Sequence, residues 1–288
     1  ILLWTPIPTA ADWLSLIGCY AISALLLDLA SRHRARDLYA LMTLAGLYGL
    51  LAALFIHPAT ALIDMPRTLF TRAMGAHTLM GLIALAIFFG IGKSPLARFG
   101  VILVGVAWAV WAKWSPLELW GAAEPTSPIL LILAFVIGVS VILLAAIPLQ
   151  RVERPTDFRL SPLGWLIIGA VAAVLLLFQA AQGRIDGVTA VITLVLAGFG
   201  AAILWFQKRA KGSTLLDSTP APTLRGMVTT AILFAVGAVI GYALPRTDPD
   251  GVEILVSLFA AYGVIWLPAV SIVLGARAFV RQAGAFRL

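Results

Sequence analysis

Only three histidines occur in 288 residues, and two of them, His57 and His77, bracket a single segment between two apolar runs. A neutral imidazole binds copper, zinc or haem iron. The pair is therefore the one constellation here that suggests a cofactor site. Imidazoles on facing antiparallel helices would suit a b-type haem or a metal ion. The plainer reading is structural: His57 precedes Pro58 at a helix end, and His77 bonds Asp64 or a loop carbonyl. No third ligand of the kind zinc requires stands near them, so a closed protein metal site is not expected. His33 falls in a basic turn and is read as solvated.

The bracketed segment runs from Pro58 to Arg72 and sets Asp64, Arg67 and Arg72 around Met65, Leu69 and Phe70. This pattern predicts a short amphipathic helix on the membrane surface, serving as a docking face or part of a gate. Trp120, beside Leu119 between Pro116 and Pro125, is read as a further docking residue at the interface. The other ionisable groups in or next to apolar runs are Asp28, Lys113, Glu118 and Glu253, all near run ends. There they can snorkel or pair. A proton relay needs carboxylates at mid-depth, and a retinal protein needs a lysine there; neither is present. Nucleotide, zincin and Ser–His–Asp signatures are also missing, so an enzyme is not expected. Gly237 and Gly241 have the four-residue spacing of a helix contact face.

These residues must be positioned by elements suited to lipid. The chain is 61% hydrophobic and 11% charged, with a mean hydropathy of +1.02. A soluble domain carries about 25% charged residues. Apolar runs near twenty residues match the length of a membrane-crossing helix and exceed the strands of a barrel. Nine such runs are predicted, at 12–30, 38–57, 73–92, 97–114, 128–150, 162–182, 187–207, 226–244 and 253–276. The predicted class is an all-α polytopic membrane protein, a single transmembrane domain over 1–288. A flexible cytoplasmic linker is expected at 208–225, rich in Ser, Thr, Pro and Gly.

Of the 20 Lys and Arg, fifteen fall in loops of one parity and five in the other. The positive-inside rule then places the amino terminus outside and the carboxyl terminus in the cytoplasm, as in a bacterial inner membrane. The same rule accounts for the net charge of +7, so no nucleic-acid partner is expected. Cys19 stands alone, which leaves no disulfide within the chain.

A weak internal echo pairs Trp13 with Trp165 and Gly46 with Gly198. On that pattern helices 1–4 repeat as helices 6–9, with halves 12–114 and 162–276 joined by helix 5. An offset of five helices would make the repeat inverted, as in many transporters. Three functions are compatible with these features. The first is a non-catalytic subunit, a scaffold or accessory in a larger energy-converting or transport complex, with lipids and other membrane subunits as partners. The second is a secondary transporter or channel for a small neutral, anionic or lipidic solute. The third is a haem b-binding electron-transfer subunit resting on His57 and His77.

Overall fold

A helix that starts in an apolar setting leaves first-turn amides that water cannot satisfy. This chain answers with a polar side chain ahead of most long apolar runs. Asp37 accepts from the Ala40 amide at 3.0 Å, and Ser161 from Gly164 at 3.1 Å. Asp186 accepts from Thr189 at 2.9 Å, and Thr223 from Gly226 at 3.1 Å. Ser94 and Ser127 serve two further starts, each followed by a proline, as Ser161 is. Proline fits a first helical position because it brings no amide to satisfy.

The helices that follow are α1 (Ala10–Arg32), α2 (Leu38–Phe55), the single turn α3 (Pro58–Ala61) and a π-helical segment, Leu69–His77. Next come α4 (Thr78–Gly90), α5 (Pro95–Trp120), α6 (Pro128–Leu149), α7 (Pro162–Ala181), α8 (Gly187–Gln207) and α9 (Leu224–Ala243). A shorter apolar helix, α10 (Ser257–Val270), completes the series. This computed structural model describes residues 10–90, 94–120, 124–149, 158–207, 214, 217, 223–245, 254, 257–270 and 272. Helix makes up 85% of it, with no strand among the described residues. Seven of the helices are long and apolar enough to cross a membrane. Glu253, the side chains of Glu118 and Trp120, and most of the 208–225 linker lie outside the described residues.

Two compact units divide the chain. The first comprises Ile1–Ile7, Ala86–Arg154 and Thr219–Pro249. Its seam is the contact of α5 with α9, where glycines bring the backbones together. A Cβ on Gly237 would stand 2.0 Å from the Ile102 carbonyl oxygen, and one on Gly241 2.3 Å from that of Val106. Gly105 reciprocates from α5, 2.3 Å from the Phe234 oxygen. Phe234 is stacked on Phe135 of α6, with ring centres 5.8 Å apart. At one end of the seam the Lys113 ammonium donates to the Tyr242 carbonyl at 2.7 Å and sits over the Trp114 and Tyr242 rings. A cation there answers the free carbonyls and negative dipole end of α9.

The second unit comprises Pro8–Leu85, Pro155–Ser218 and Asp250–Leu288. Its centre is α2, most of whose residues are buried. Trp266 of α10, with no exposed surface, lies across Gly46, where a Cβ would stand 1.8 Å from the indole. Its Nε1–H donates to the Met42 carbonyl at 2.9 Å, so the indole's one polar atom is satisfied. Gly200 of α8 meets Leu47 on the same stretch of α2.

Several local expectations need correction. The outer segment does not form one amphipathic helix. It makes the four-residue α3, then bends through 62–66, and Asp64 and Thr68 exchange hydrogen bonds where helix resumes. Helix α5 continues to Trp120 instead of ending near 114. His33 is buried, not solvated.

Candidate functional site

The site is built at the end of α2. The Ile56 and His57 amides both donate to the Ala52 carbonyl, which closes α2 with a widened turn. The last carbonyls of α2 would then be orphaned, but Gln179 of α7 reaches them. Its amide nitrogen donates to the Phe55 and Ile56 oxygens at 3.3 and 3.4 Å. Pro58 then opens α3, which fixes His57 at the junction.

His77 is presented by the π-helical segment. A wider turn of this type places residues five apart on one line, and it recurs at functional sites. Here its widening is matched by glycine. A Cβ on Gly49 of α2 would stand 2.5 Å from the Ala73 oxygen and 2.5 Å from Thr78 Oγ1. Gly75 and Gly263 make a similar approach between the segment and α10. The Thr78 hydroxyl donates to the Ala73 carbonyl at 3.0 Å, which satisfies an oxygen freed by the irregular turn.

The two imidazole rings lie in an edge arrangement, with centres 6.3 Å apart and planes inclined at 72°. His57 lies beyond the apolar span of α2 and is exposed to solvent. Crowding by the surrounding chain, then the neighbouring His77 ring, lower its pKa from 6.5 to about 4. Solvent screens part of this, but the direction leaves the ring neutral at pH 7. The Gly49 carbonyl engages the His77 ring, and its Nδ1 is buried without a partner. Arg72 donates to the Thr60 carbonyl and is near enough for its charge to act on His77.

Asp64 and Arg67 approach to 3.9 Å, both largely exposed, so their attraction is weak. Asp64 does not meet His77. Trp120 belongs to the last turn of α5, apart in sequence from this cluster.

Three side chains matter more than their types alone suggested. Gln179 is buried and serves as the α2 cap. Its signal was available: it is the one amide in an otherwise apolar α7. Asp28 is fully buried and holds Arg32 through two bonds of 2.9 and 3.0 Å. It also accepts from the Leu160 amide at 2.7 Å. Trp266 is the core residue over α2. No known family, curated protein or solved structure matches this chain.

Proposed function

We propose that the chain crosses a bacterial inner membrane about nine times, with its amino terminus outside. There it serves as a non-catalytic subunit of a larger energy-converting or transport complex. One observation carries this reading. In the seven apolar spans, every described Asp, Glu, Lys or Arg lies within five residues of a span end. Two of them hold helices: Asp28 of α1 clasps Arg32 and the Leu160 amide, and Lys113 of α5 caps the end of α9. A pump or proton-coupled carrier would need such groups at mid-depth.

The apolar surface supports a covered face. Leu130, Leu133, Ile137 and Leu144 of α6 are all exposed and can be covered only by lipid tails or neighbouring helices. A second reading, a carrier for a small neutral, anionic or lipidic solute, draws on the π-helical segment. Irregular backbone at membrane depth commonly borders a cavity.

Extraction of a tagged chain from its native membrane in mild detergent separates the two readings. Co-migration with other membrane subunits in a particle larger than the chain is expected. A stable, monodisperse monomer would overturn the subunit reading.

A further inference from the structure

We propose that His57 and His77 form a two-coordinate site for a copper(I) ion, held between one nitrogen of each ring. The inference goes beyond the subunit reading and does not depend on it. Spacing is the first argument. Each ring nitrogen lies about 1.1 Å from its ring centre, so with one nitrogen of each ring rotated into the 6.3 Å gap the two would stand about 4 Å apart. A direct hydrogen bond needs about 3 Å, whereas two metal–nitrogen bonds of about 2.0 Å fill the gap.

The second argument is orientation. A metal-binding histidine commonly gives its other ring N–H to a carbonyl or carboxylate, which fixes the tautomer and aims the lone pair. His77 has this arrangement, with the Gly49 carbonyl on the ring and a buried, unpartnered Nδ1.

The third argument selects the ion. Among the described residues no group of three His, Cys, Asp or Glu could hold a metal. Zinc(II) prefers four ligands in structural sites and three plus water in catalytic ones. Copper(I) has the same filled d shell but a single charge, and it accepts two nitrogens in line. Arg72 sharpens the choice, because repulsion from its guanidinium is twice as large for a dication. A porphyrin needs the helices parted. Here α2 and the π-helical segment touch beside His77, as the 2.5 Å approaches at Gly49 require. The gap between the rings fits an ion and not a macrocycle.

The test is titration of the full chain, purified in detergent under anaerobic reducing conditions, with copper(I) buffered by bathocuproine disulfonate. Expected are one equivalent of copper(I) per chain and an absorption fine structure of two nitrogens at about 2.0 Å. Retention should fall at least ten-fold in His57→Ala and in His77→Ala, and zinc(II) should not be held under the same conditions. Absence of copper retention by the native chain would overturn the proposal. So would unchanged retention in both variants, or a Soret band on reconstitution with haem. If the alanine variants aggregate, Arg72→Gln decides. Removing that charge should tighten copper(I) binding at least two-fold, and unchanged binding would count against the site.

Discussion

Asp28 illustrates how an ionisable residue survives in an apolar helix. Its carboxylate has no exposed surface, and each oxygen is answered, by Arg32 or by the Leu160 amide together with Arg32. An uncompensated charge there would be prohibitive, whereas a fully bonded one clasps α1 to the start of α7. Asp28→Asn keeps the shape but loses the charge and one acceptor. Arg32 is 38% exposed and can turn to water, which limits the damage. The expected cost is about 2 kcal/mol, typical of a buried donor left poorly paired. Thermal unfolding in detergent measures it, and an unchanged midpoint would show that the clasp contributes nothing. Charge type and position in the run indicated that Asp28 needs a partner. They did not indicate its depth. Depth follows from which helix lies alongside, and the partner amide at Leu160 is 132 residues away.

At the scale of elements, spacing marked the glycines as contact candidates but could not rank them. Gly237 and Gly198 are both mid-helix glycines, yet their surroundings are opposite. A methyl at Gly237 meets the Ile102 backbone, which cannot move without parting α5 from α9. At Gly198 nothing lies within 4 Å. Gly237→Ala should therefore destabilise by about 2 kcal/mol or more, as overpacking does. Gly198→Ala should be neutral or stabilising by up to about 1 kcal/mol, since alanine is the better helix former. Chemical denaturation of the two variants in one detergent gives the comparison, and equal effects would refute the assigned seam. Helix starts were more legible than contacts. Ser94–Pro95, Ser127–Pro128 and Ser161–Pro162 are local signals that need no tertiary information. The π-helical segment was not legible. Its register is held by Gly49 and Gly263 from distant stretches, and nothing in LFTRAMGAH alone dictates it.

For the whole molecule, the charge alternation makes a prediction that does not depend on packing. With Cys19 replaced by serine, a cysteine introduced at Ile63 should react with an impermeant maleimide in intact cells. One introduced at Arg34 should react only after the membrane is opened. Both positions are exposed, so accessibility to the reagent reports sidedness. The reverse pattern would invert the proposed orientation. The apolar runs made the all-helical class legible because length and hydropathy are local properties. The nearness of His57 and His77 required only that two neighbouring elements turn back on each other, so sequence alone could suggest it. The packing that narrows the space between them is set by α2 and a non-standard turn, and only the fold reveals it.

The position of α2 at the centre of its unit has a consequence for biogenesis. Ribosomes deliver roughly 5–20 residues per second, so α8 and α10 emerge roughly 10–40 seconds after α2. Until then the notch at Gly46 lacks Trp266, the side chain that fills it in the folded unit. The middle of this unit is thus made early and finished last. Nascent chains halted before Ser257 would expose a groove in α2 that quality-control proteases and chaperones of the membrane could recognise.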